Sequence, residues 1–288
     1  MQPVLIRDFD AAAVGAVVGI VVGLTTMGGG ALLTPALIFL GIPPSMAIGS
    51  DFLIASGTKL FGSGAYVMKR RVHWPTVGRL CLGSIPGAFV GDRILASVGR
   101  ASLDSFVTYG LGTVLIIAGS ATLYRLRMKG PRPDLAMPST WVMVLLGFMT
   151  GVLVTGTSVG SGSLLIVFMI RLVPLPLNTL IGTDLLHALI LTSLATVLHG
   201  IAGRVDVHLA ASVLVGTIPG VLVGARLAGT LPERALRGAV AGVLVFVGFI
   251  LLSRGTAGHP TPQVAAAHSS TVVSSAAGAP VIAAEIRR

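Results

Sequence analysis

Two acidic residues stand where acids are costly. Asp51 and Asp184 are the only Asp, Glu, Lys or Arg, apart from Lys59, in the long apolar stretches 11–59 and 172–203. A charge at the centre of a bilayer costs at least about 2.5–3.5 kcal/mol, so such a group faces a cavity or a partner. His187 follows Asp184 by one helical turn, and Lys59 follows Asp51 by two, each on the acid's side of a helix. Acid, imidazole and amine at these spacings can relay a proton or neutralise a passing charge. Asp51, Lys59, Asp184 and His187 are therefore the expected proton-coupling residues. The plainer reading makes each carboxylate a structural bond between helices.

A second pair of segments could hold an anion. "LTTMGGGALLTP" (24–35) and "TGTSVGSGSLL" (155–165) are Gly, Ser and Thr clusters between apolar pieces. Irregular backbone at membrane depth is tolerated where it lines a cavity. A half-helix starting near Gly30 or Ser163 would present unsatisfied N–H groups and the positive end of its dipole. The expected substrate-binding residues are Thr25, Thr26, Gly28, Gly29 and Gly30 in the first segment. In the second they are Thr157, Ser158, Gly160, Ser161, Gly162 and Ser163. The two ends would converge on one anion near the midplane. Small residues that merely let helices pack closely are the competing reading. No G-x-x-x-x-G-K-[ST] phosphate loop is present. The lone Cys81 lies in an apolar run and gives neither a disulfide framework nor a metal motif. No cofactor, metal or catalytic residue is expected.

The elements that must carry these residues follow from composition. Of 288 residues 53% are hydrophobic and 10% charged, against about 25% charged in a soluble domain. Apolar runs of this length read as membrane spans. They are continuous rather than alternating, so helices are expected. The formal charge of +10 does not point to nucleic acid, because the basic residues sit between apolar runs, at Lys69, Arg70 and Arg71 and at Arg125, Arg127, Lys129 and Arg132. Cytoplasmic loops of membrane proteins look like this. Asp8 and Asp10 argue against a signal peptide at the start.

The chain repeats itself. "AIGSDFLIA" (47–55) resembles "LIGTDLLHA" (180–188), and "GSIPGAFVGDRI" (83–94) resembles "GTIPGVLVGARL" (216–227), both at one offset. Roughly a quarter of positions match across residues 28–94 and 161–227. The expected organisation is a first membrane repeat at 1–125, a cytoplasmic linker at 126–138, a second repeat at 139–253 and a disordered tail at 254–288. Each repeat reads as a span (about 11–27; 140–157), a short piece (30–41; 162–173) and three full spans (45–68, 76–97 and 103–124; 178–200, 208–229 and 236–253). The short pieces are about 18 Å long against a core of about 30 Å, so they read as re-entrant half-helices. Lys69–Arg71 and the linker, two crossings apart, both fit the cytoplasm, and if the short piece counts as a crossing each repeat has an odd number, which inverts the second. The fold class expected is thus an all-α polytopic membrane protein of two inverted repeats, each of about four to five helical segments. Inverted repeats with short, glycine-interrupted segments point to a secondary transporter. Tyr66 and His199, at matching positions, read as interface anchors, and Pro86 and Pro219 as kinks in closely packed helices.

The glycine-rich break followed by "LLTPALIFLGIPP", the repeated G-[ST]-D block and the repeated G-[ST]-I-P-G block resemble the sulfite exporter family of the TauE/SafE type over about residues 11–253. The resemblance implies a bacterial inner-membrane permease for sulfite or small organosulfonates. It lays the family's glycine-rich segments on Gly28, Gly29 and Gly30, and on Gly160, Ser161 and Gly162. Two serines replace glycines in the stretch 161–163, so two equivalent sites are not expected. The function expected is a secondary transporter of a small anion, proton-coupled, in the inner membrane, with the anion and the lipid bilayer as partners. Homo-oligomerisation is left open. The alternatives are a passive anion channel and an intramembrane enzyme pairing Asp51 with Asp184. The second lacks a G-x-G-D block.

Overall fold

A computed structural model describes residues 2–25, 30–127, 136–159, 164–227 and 233–256. The described residues form ten helices and no strand. They are α1 (Gln2–Thr25), α2 (Gly30–Phe39), α3 (Pro44–Met68), α4 (Trp74–Ser97) and α5 (Arg100–Arg127), then α6 (Thr140–Thr157), α7 (Leu165–Leu172), α8 (Leu177–Ile201), α9 (Val207–Leu227) and α10 (Glu233–Thr256). The protein is a polytopic helical membrane protein. Stretches of α5, α6, α8, α9 and α10 are long and apolar enough to cross a bilayer. With 25 and 24 residues, α3 and α4 are as long, but they carry Asp51 and Lys59, and Arg79, Asp92 and Arg93. At 10 and 8 residues, α2 and α7 are short. Helix α1 starts before the span expected from residue 11. Helices α5 and α10 run two and three residues past the boundaries read at 125 and 253. Most of the linker, and the tail from residue 257, lie outside the described residues.

Local sequence sets the helix ends. Prolines open α3 (Pro43, Pro44), α4 (Pro75) and α8 (Pro176), where a missing N–H costs nothing and φ is already helical. Helices α3 and α8 close in the same way. Arg70 (φ 52°) and Gly203 (φ 69°) are left-handed. The N–H of Arg71 reaches Tyr66 O and that of Arg204 reaches His199 O, both at 2.9 Å. This six-residue closure is the Schellman motif, at matching positions in both halves.

Packing exchanges partners between the halves. Helix α1 lies on α9, α4 on α6, α3 on α8 and α5 on α10. The α4–α6 and α1–α9 pairs run parallel and backbone to backbone. A Cβ added to Gly83, Gly87, Gly147 or Gly151 would strike a carbonyl of the other helix, and so would one on Gly15, Gly19, Gly216 or Gly220. Small residues permit that approach. The α3–α8 pair runs antiparallel, with Gly49 against the Arg204 carbonyl and Gly182 against that of Arg71. These two pairings place the middle of the crossing near Leu60 and Ser193. Two cores result. One joins α1, α2, α3 and α9 through Ala11, Leu33, Leu37, Ala47 and Val213. The other joins α6, α7, α8 and α4 through Met143, Ile166, Ile170, Leu180 and Leu80.

Candidate functional site

Helix α2 begins at Gly30, and its first-turn N–H groups have no intrahelical acceptor. The C-terminal end of α6 comes to this point. Ser158 caps α6 in a left-handed conformation (φ 59°), and its N–H donates to Val154 O at 2.7 Å. Gly30 sits so close to Ser158 that an added Cβ would lie 2.9 Å from its Oγ. The start of α2 and the end of α6 therefore meet at Gly30 and Ser158.

Asp51 fills the junction. It lies on α3 between the buried side chains of Ile48 and Phe52 and is 0% exposed. Its Oδ2 accepts a hydrogen bond from Thr34 Oγ1 at 2.7 Å and another from Ser158 Oγ. The same oxygen abuts the start of α2, 2.9 Å from where a Gly30 Cβ would stand. Its Oδ1 is buried with no hydrogen-bond partner among the described residues.

Around this node the remaining polar groups are spread along α3 and α8. Lys59 is buried at 7% exposure, one residue from the middle of the crossing. It forms no salt bridge among the described residues. Its charge is within electrostatic range of both Asp51 and Asp184. Asp184 is buried on α8. It is separated from Asp51 by about 27 Å measured along the helices, because each lies nine residues from the crossing's middle on opposite sides. The two acids do not form a pair. His187 is 0% exposed, and its Nε2 lies 2.9 Å from Ser84 Oγ on α4. His199, read from sequence as an interface anchor, is instead buried: exposed by 1%, it donates from Nε2 to Thr155 O at 3.1 Å and packs tilted against Phe52, with ring centroids 5.1 Å apart. The lipid interface would have left it half in water, whereas the antiparallel α3–α8 crossing covers it. Nδ1 of both histidines and Thr155 Oγ1 are buried without a partner.

Of the residues expected to bind substrate, Gly30 and Ser158 are brought together. Thr157 bonds to its own helix, donating to Leu153 O at 2.7 Å. Thr25 is the last residue of α1. Thr26, Gly28, Gly29, Gly160, Ser161, Gly162 and Ser163 lie outside the described residues. Thr34 and Ser84 were not singled out from sequence. Thr34 is one turn after Gly30, a lone hydroxyl in an apolar half-helix, and that spacing was the available signal. Among the described residues no cluster of His, Cys, Asp or Glu could hold a metal ion.

The buried acids, the paired breaks and the repeated helices can now be set beside known proteins. The profile described as "Sulfite exporter TauE/SafE" matches residues 11–251. The chain belongs to this family. It is similar to the "Probable membrane transporter protein YjnA" of Bacillus subtilis (strain 168), with 37% identity over 83% of this chain and 97% of that protein. It is 27% identical to the "Probable membrane transporter protein YdhB" of the same organism, over 81% of this chain and 96% of that one. A shorter similarity, 30% over 32% of this chain and 20% of the other, links it to "Sulfite exporter TauE/SafE family protein 3" of Arabidopsis thaliana. No solved structure matches.

Proposed function

We propose that this TauE/SafE protein is a secondary carrier that moves a small anion, sulfite or an organosulfonate, across the inner membrane in exchange with or alongside protons. The observation that carries the reading is the meeting of Gly30, Thr34 and Ser158 over Asp51. Hydroxyls and first-turn N–H groups are anion donors, and a buried acid among them is a proton site. The second half would be inverted relative to the first, with Lys69–Arg71 and the linker in the cytoplasm. The antiparallel α3–α8 and α5–α10 contacts support this, since each pairs a helix with its own repeat. Lys59 would keep one of the two acids charged at a time. The moving bodies would not be the sequence halves, because the buried clusters draw on both.

Proteoliposomes test the reading. Sulfite efflux should saturate with concentration and follow an imposed pH gradient. Flux that neither saturates nor responds to the gradient would make it a channel. No flux of sulfite, sulfoacetate, taurine, thiosulfate or sulfate above empty liposomes would remove the proposal.

A further inference from the structure

The N-terminus of α2 is a niche for an oxyanion, and in this structure the protein's own carboxylate lies in it. Asp51 Oδ2 takes the hydroxyls of Thr34 and Ser158 and abuts Gly30. These are the groups that a sulfur oxyanion would use. The side chain is short and 0% exposed, and its helix is fixed by the fully buried Ile48 and Phe52. While ionised it has no water to move to and stays on these donors, whereas the neutral carboxyl can turn to another rotamer and vacate them. Two negative groups cannot share one helix terminus and two hydroxyls in a low-dielectric interior. A proton on Asp51 removes the conflict. It turns the carboxyl from an acceptor of the two hydroxyls into a group that can donate, and it frees Thr34 and Ser158 for the incoming oxygens. The unpartnered Oδ1 is the atom open to that proton.

We propose that Asp51 is a tethered competitor of the substrate: its ionised carboxylate occupies the oxyanion niche, and a small sulfur oxyanion enters only when Asp51 is protonated, one proton per anion. The inference rests on the anion-carrier reading above and adds the order of events and the stoichiometry. The second half lacks the same device. The position matching Thr34 is Val167, so no hydroxyl is available one turn into α7.

Other titratable groups lie on α3 and on the elements packed against it. Lys59 shares α3 and is the charged residue whose field reaches Asp51. Helix α8 brings Asp184, His187 and His199, α5 brings Asp104, the α8–α9 connection brings Arg204 and Asp206, and α9 brings His208 and Arg226. The described parts of α2 and α6 bring none. A test must therefore isolate Asp51 by substitution.

The full-length protein in nanodiscs is titrated with methanesulfonate, which stays a monoanion throughout the range and cannot mimic the effect by its own ionisation. Calorimetry in buffers of differing ionisation enthalpy reads proton uptake. Wild type should take up close to one proton per anion on the alkaline limb, where the apparent Kd should weaken about tenfold per pH unit. Asp51→Asn should bind with a Kd that is flat over that range and with no proton uptake. Wild-type uptake of no protons overturns the proposal without recourse to any variant. So does an Asp51→Asn protein that keeps the wild-type pH slope, or one that is folded but binds no anion. Binding that follows sodium rather than pH also overturns it. Failure of every anion to bind wild type at any pH sinks the carrier reading itself.

Discussion

At the scale of single residues, burial without a full set of partners is the recurring theme. Asp51, His187 and His199 each leave one polar atom unpaired in the interior. An unmade bond there costs about 1–3 kcal/mol, which a purely structural site would have eliminated. Ser84→Ala would leave His187 with no partner at either nitrogen among the described residues, since Ser84 Oγ is the neighbour of Nε2 at 2.9 Å. It should lower stability by about 1–3 kcal/mol in denaturant titration of the solubilised protein. Thr34→Val removes one of two donors to Asp51 and should slow sulfite flux in proteoliposomes at least several-fold. A fall in stability alone, with flux unchanged, would make Thr34 structural. Outside the spans, partial burial and the nearby Arg79 hold the His73 imidazole below its usual range. A base neutral in the fold adds stability above its unfolded pKa of about 6.5 that is lost as pH falls. His73→Asn should flatten that part of the stability profile. Sequence pointed to Asp51 and Gly30 because an acid in an apolar run and a glycine break are visible one residue at a time. It missed Ser84 because a hydroxyl in a long helix has no sequence mark until its distant partner is known, and Thr34 because its spacing from Gly30 gains meaning only once Asp51 is seen beside it.

At the scale of elements, the helix ends carry as much information as the helices. The closures of α3 and α8 are alike, but one has Arg70 and the other Gly203 in the left-handed position. A side chain there is disfavoured by about 1 kcal/mol, so Arg70→Gly should raise stability by about that amount. The carbonyls that these closures expose reach Gly49 and Gly182 across the crossing. Any side chain at either glycine meets backbone, which cannot rotate away. Gly182→Ala should therefore destabilise by about 1–3 kcal/mol and reduce the yield of folded protein by size exclusion. The lengths and positions of the long helices were legible from hydropathy, and the short α2 and α7 from their place between glycine clusters and prolines. Which helix lies on which was not legible, because every apolar face in a membrane protein reads alike. The glycine stripes of α1, α4, α6 and α9 mark close approach without naming the partner.

For the whole molecule, the repeats are not domains. Each of the two matching cores takes three helices from one half and one from the other. The one salt bridge among the described residues, Arg204 to Asp92 at 2.7 Å, also ties the α8–α9 connection to α4 across the halves. Its position is partly buried, so a double-mutant cycle on Arg204 and Asp92 should give a coupling of about 1 kcal/mol. The matching pair would be Arg71 and Ala225, which cannot form an ion pair, so such a clasp is confined to one side of the molecule. The interleaving has a consequence for biogenesis. As the ribosome releases the chain, α1 and α4 enter lipid with their glycine faces bare, and their mates α9 and α6 have yet to be made. The amino-terminal half must therefore wait, unfinished, for the carboxy-terminal half to thread alongside it. Cut between α5 and α6 and produced as two polypeptides, the halves should be degraded when expressed singly and should rescue each other when synthesised together.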